Sequence, residues 1–222
     1  MTGRLDTVGE NSLQFYGKIS ASMSHDIKNA LAIINENAGL LDDFTLMADQ
    51  GVPFDPERLK TLAAKIAKQV GRANEIAKNM SRLAHSLDQP LTAVDLNETL
   101  HLLTALISRI SKMRNVTMGI RESSSAVTVE TFQFLLMTLI WYLLDCAVES
   151  GEVTSITVSA EDRKDGARIV LRLEGDTGRW RERLAAEQID GFLNLLNAEL
   201  TTESSREEFV LNLPARFDAL NP

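Results

Sequence analysis

The chain has 222 residues, 44% of them hydrophobic and 24% charged, which fits one large folded domain or two small ones and excludes wholesale disorder. Its formal net charge of −8 argues against nucleic acid as a main partner, because phosphate binding needs a basic surface. The single cysteine, Cys146, excludes an internal disulfide framework and a four-cysteine zinc site.

Residues 1–11 lack the apolar core of a secretory signal and read as an N-terminal tail. Residues 12–88 read as two helices. No proline occurs from Leu13 to Ala48, and Ile27, Ile34 and Leu41 recur every seven residues, with Leu31 and Ala38 between them. That is a helical seam with coiled-coil-like spacing. "DQGVPFDPERL" breaks it, and Asp55-Pro56-Glu57 restarts a helix with an N-cap acid followed by proline. A second seam runs through Leu59, Leu62, Ile66, Ala73, Met80 and Leu87. Two amphipathic helices on a short connection predict an antiparallel hairpin. Its leftover apolar stripe predicts that two chains pair into a four-helix bundle, making a homodimer.

The character changes after "DQPLTAVDL", and residues 89–222 read as a second domain. "LNETLHLLTALISRISKM" predicts a helix, "NVTMGIRES" a strand, and "VETFQFLLMTLIWYLLDCAVESG" a buried helix closed by Gly151. Its most apolar part, Phe134 to Val148, falls short of the roughly 18 residues a membrane span needs and carries Asp145. The expectation is a soluble, cytoplasmic protein with no membrane partner. "SITVSAEDRKDGARIVLRLEG" alternates as two strands around Asp165-Gly166, and "EEFVLNLP" alternates once more. The fold class is therefore α+β, a helical hairpin followed by a two-layer α/β sandwich.

"SMSHDIKNAL", Ser22 to Leu31, interrupts the first seam with polar chemistry. His25 lies two residues from Ile27, about 200° around a helix, so it should face solvent. Asn29 shares its face one turn on, and Lys28 flanks it. As single residues they suit a solvated helix face. Together they suit phosphoryl chemistry, because a neutral imidazole is a good nucleophile near neutral pH. Asp26 could fix its tautomer, Asn29 could orient a water for in-line attack, and Lys28 could offset negative charge.

"SHDIKN" resembles the phosphoacceptor box of bacterial sensor histidine kinases, a His, an acid, two positions, then Asn or Thr, often followed by Pro; here that last position is Ala30. The resemblance implies His25 as phosphoacceptor, Asp26 as acid–base neighbour and Asn29 as a residue used in dephosphorylating the partner. It extends into the second domain. "DLNE" looks like the family's entry to its ATP-binding domain. Tyr142, Leu143, Leu144, Asp145, Cys146, Ala147, Val148 and Glu149 match its nucleotide helix in register, with Tyr142 and Cys146 replacing both asparagines. A thiol is a poor magnesium ligand; Asp145 could in principle stand in. In "LEGDTGRW", Asp176 and Gly178 fit the following Asp-x-Gly-x-Gly pattern, but Trp180 takes the second glycine's place. The stretch after it is too short for a nucleotide lid, with Gly191 its one glycine.

This build, a histidine hairpin plus a degenerate ATP-binding domain, resembles phosphorelay histidine phosphotransferases. It implies response-regulator receiver domains as partners, no cofactor bound by this chain, and Mg2+ on the receiver. The alternative is a pseudokinase that binds, inhibits or dephosphorylates a regulator or kinase. Charge supports a docking surface: the second helix carries Arg72, Lys78 and Arg82 roughly level with His25, a basic rim for an acidic regulator pocket. A solvated face explains the same charges. His85 and His101 read as surface residues, Trp141, Phe132 and Phe134 as packing residues, and Cys146 as a small buried hydrophobe.

Overall fold

The first proline is Pro53, and the chain before it forms a single helix, α1 (Thr2–Asp49), in a computed structural model that describes residues 2–53, 55–89, 91–123, 125–175, 186–203 and 208–217. Where the sequence suggests a tail over residues 1–11, the structure has residues 2–11 as the first turns of α1, with Val8 and Asn11 buried. Gly3 and Gly9 weaken the local helical signal, and tertiary packing overrides it. Gly51, at φ 82, turns the chain out of α1, and its amide hydrogen-bonds to the Ala48 carbonyl. Asp55 then caps α2 (Pro56–His85) by accepting from the Glu57 amide at 3.0 Å.

The described residues form two units, Ser20–Ser81 and, separately, the residues up to Ile19 with those from Arg82 onward. In the first, Asp26 meets Arg72 and Phe44 meets Arg58, so α1 and α2 run in opposite directions. The inward residues of α1 are Met23, Ile27, Ala30, Ile34, Asn37, Leu41 and Phe44, spaced alternately four and three. Ala30 and Asn37 therefore take the places that the sequence seam gives to Leu31 and Ala38, and Leu31 is 49% exposed. On α2 the inward set is Leu59, Leu62, Ile66, Gln69, Ala73 and Ile76, while Met80 stays 36% exposed. Both helices carry two adjacent apolar stripes, and periodicity alone cannot say which one the hairpin uses.

The other unit adds β1 (Thr92–Asp95), α3 (Leu96–Met113), β2 (Thr117–Arg121), β3 (Thr128–Thr131), α4 (Gln133–Ser150), β4 (Val153–Arg163), β5 (Gly166–Gly175), α5 (Ala186–Leu196), β6 (Glu199–Glu203) and β7 (Glu208–Pro214). The main sheet has the order β2-β4-β5-β7-β6, and a small antiparallel sheet pairs β1 with β3. Only β2 and β4 are parallel among the described pairs, and α4 lies in the crossover between them. Asp95 caps α3 by accepting from the Asn97 and Glu98 amides. Ile156, Val158, Ile169, Leu171, Phe209 and Leu211 are buried by alternation, and α3 and α4 pack side by side with the sheet. α4 has 18 residues and is apolar enough to cross a bilayer by length and composition, but ten of its residues are buried within the domain. A core helix has that composition too.

The predicted turn between β4 and β5 falls at Lys164-Asp165, and Gly166 starts β5 at φ 151. A Cβ there would lie 2.0 Å from the Leu213 carbonyl oxygen of β7. No side chain fits. Gly166→Ala is expected to destabilise the sheet domain by about 2 kcal/mol or more, read as a lower denaturant midpoint. An unchanged midpoint would mean that β7 yields freely at that edge.

Candidate functional site

About six turns into α1 the helix presents His25 to solvent, because its neighbours Met23 and Ala30 take the inward positions. The Asn29 side chain, one turn on, places Nδ2 3.1 Å from His25 Nδ1. With the amide in this orientation Nδ2–H donates, Nδ1 holds a lone pair and the proton sits on Nε2. Rotating the amide presents Oδ1, so Nδ1–H donates and the outward Nε2 carries the lone pair. In either orientation Asn29 selects the tautomer. That is the role the sequence reading gave to Asp26.

Asp26 has a different neighbour. Its carboxylate is 3.6 Å from the Arg72 guanidinium of α2, and its side chain is only 19% exposed. Lys28 is exposed beside His25, and Lys78 is exposed on α2. Arg82 belongs to the other unit, where it pairs with Glu98 at 3.3 Å. Of the predicted basic rim, the structure thus brings Arg72 to the acid of the box. His85 and His101 are exposed, against Asp88 and Glu122 respectively.

The positions that the sequence resemblance associates with nucleotide lie on α4 and after β5. Asp176, Gly178 and Trp180 lie outside the described residues. On α4, Tyr142 and Cys146 are half-buried one turn apart and share a hydrogen bond. Burial pushes the Tyr142 phenol up to about 12, reinforced by Cys146 and Asp145. The Asp145 carboxylate is already held, at 2.7 Å, by the Lys18 ammonium of α1. Cys146 is half-buried rather than fully enclosed, because its turn lies at the edge of the packed face.

No family model matches the chain, and no curated protein matches it. Solved structures are similar to it in outline. The ATP-binding domain of PrrB from Mycobacterium tuberculosis is 18% identical, with a TM-score of 0.49 over 57% of this chain and 98% of that one. Histidine kinase AdeS from Acinetobacter baumannii is 11% identical, with a TM-score of 0.44 over 86% of this chain and 98% of that one. Histidine kinase ThkA, solved in complex with the response regulator TrrA, is 16% identical, with a TM-score of 0.43 over 91% of this chain and 63% of that one. Values this low transfer neither an activity nor site residues.

Sequence reasoning missed Lys18 and Phe15. Their signal is a run of buried positions upstream of the box, Val8, Phe15 and Ile19, which starts before the seam traced from Ile27 and of which a reading of residues 1–11 as tail discards Val8.

Two outcomes follow from this geometry. In 15N spectra, wild-type His25 should favour one neutral tautomer, and Asn29→Ala should return it toward the ordinary mixture; identical spectra would remove Asn29 from the ring. Because Tyr142 has a folded-state value above the unfolded one, its contribution to stability is complete below about pH 10 and lost as pH rises toward about 12. Denaturant midpoints across that range should therefore fall less in Tyr142→Phe than in wild type.

Proposed function

We propose that this chain is a histidine phosphotransferase of a two-component phosphorelay, taking a phosphoryl group on His25 from a receiver-domain aspartate and passing it to another receiver. The observation that carries the reading is His25 itself, exposed on a helix with the Asn29 amide 3.1 Å from its Nδ1 and the Asp26–Arg72 pair beside it. A ring-nitrogen lone pair attacks phosphorus in line. The P–N bond forms, the P–O bond to the aspartyl carboxylate breaks, and its electron pair returns to the carboxylate. The other ring nitrogen keeps its proton. Passing the group on runs the same exchange in reverse with a second aspartate.

This chain's part is position. An exposed imidazole on a rigid helix reaches into a receiver pocket, while Lys28, Arg72 and Lys78 supply positive charge for an acidic partner. Mg2+ belongs to the receiver in this reading. The unused apolar stripe, Leu31 and Ala38 on α1 with Ala63, Val70, Ala77 and Met80 on α2, is exposed in one chain and suits a second copy in a four-helix bundle. No kinase step is assigned. Tyr142 and Cys146 are poor replacements for amides that hold magnesium, and Lys18 already neutralises Asp145.

The test is incubation with a receiver domain carrying labelled phosphate, beside His25→Ala and an ATP-only control. Label is expected on wild type and on neither the variant nor the ATP control. Arg72→Ala and Lys78→Ala should slow transfer by roughly tenfold or less, with the deficit shrinking as salt rises. Loss of label from the receiver with none on His25 would replace this reading with the regulator-binding pseudokinase. Labelling by ATP alone would overturn the assignment of α4.

A further inference from the structure

The upstream part of α1 is bound along one face of α4. Phe15 is fully buried, with its ring 5.7 Å from that of Phe134 and 5.4 Å from that of Trp141. One turn later the Lys18 ammonium lies 2.7 Å from Asp145 and 4.0 Å from Glu149, and 5.2 Å over the Trp141 ring. Val8 and Ile19 are buried on the same side of the helix. Opposite them Leu13 is 75% exposed, so the segment docks by one stripe only.

On α4, Phe134, Trp141, Asp145 and Glu149 fall within about 80° of the helix circumference. Tyr142 and Cys146 occupy the next strip round. The contacts made by Phe15 and Lys18 therefore run beside the pair that stands where the resemblance would have magnesium-binding asparagines. A second feature sets the segment apart from ordinary core. Asn11, on the same side of α1, is buried with no hydrogen-bond partner for Nδ2 among the described residues, an unfavourable group that a sealed core would exclude.

We propose that residues 8–19 of α1 are a built-in occupant of this face of α4, with Phe15 and Lys18 as its anchors, closing it to ligands and making the sheet domain a clamp on the start of α1. The name of the face rests on the reading of α4 as a lapsed nucleotide helix; the clamp rests on the contacts. A domain that has given up nucleotide would then retain a mechanical task.

Hydrogen exchange on the full-length protein tests it. In wild type, peptides covering residues 8–19 should exchange about as slowly as those from β4 and β5. Phe15→Ala should speed exchange in residues 8–19 by about tenfold or more while β4 and β5 hold, because truncating a buried ring opens the local unit first. Lys18→Gln, at a half-exposed position that cannot unfold the core, should give a smaller rise confined to the same segment. Magnesium-ATP should leave wild-type exchange unchanged. Rapid wild-type exchange, a Lys18→Gln effect spread equally over β4 and β5, or opening of residues 8–19 by magnesium-ATP would each overturn the proposal. Labelling of His25 read on the same samples separates the two readings: failure to accept phosphate sinks the phosphotransfer and leaves the clamp standing.

Discussion

α1 runs unbroken from Thr2 to Asp49, and its buried stripe changes spacing and partner along the way. Over Val8, Asn11, Phe15 and Ile19 the steps are three, four and four, and the stripe belongs with the sheet domain. From Met23 to Phe44 the steps alternate four and three, the spacing that keeps a seam facing a second helix. One stiff rod thus has two packing obligations. Burial of Phe15 alone is worth ~1.5–3 kcal/mol, more than the ~1 kcal/mol or less of the half-exposed Lys18–Asp145 pair. The aromatic cluster holds the segment down, and the ion pair sets its register.

That division leaves the polar box little to do for stability. His25, Lys28 and Asn29 are exposed and lie outside the seam with α2, so packing does not dictate their identities. The seam beneath them is not purely apolar: buried Asn37 donates from Nδ2 to the Ile33 carbonyl at 2.6 Å. Polar groups at such positions cost stability and specify register. Arg72 and Asp26 join across the helices at the same level as the box, at a distance where the pair biases geometry more than it stabilises.

The sheet domain shows a related economy. Its main sheet buries one face under α3 and α4 and covers the other with cross-strand ion pairs, Arg168 with Glu161 and Arg172 with Glu208. Aligned charges on adjacent strands flank Val170 and Val210, which are buried between them.

The sequence determined the two-helix start, the break at Pro53, the cap at Asp55, the β4–β5 hairpin to within one residue and the outward face of His25. Each is a local matter of capping, turn chemistry or helical angle, which neighbours in sequence set by themselves. It also marked the box as the place to look, since a His with an acid beside it and an amide one turn on is legible as text. Only the tertiary structure decided that Ala30 and Asn37 turn inward in place of Leu31 and Ala38, because two adjacent apolar stripes satisfy the same periodicity. It alone set Asp26 against Arg72 and the Asn29 amide against the imidazole, took residues 2–11 out of a supposed tail into α1, and laid Phe15 and Lys18 against α4. The pairing of the two helices and the docking of Phe15 and Lys18 depend on which surfaces meet across separations from a few tens of residues to more than a hundred. Periodicity marks that a face will be buried, and packing decides against what.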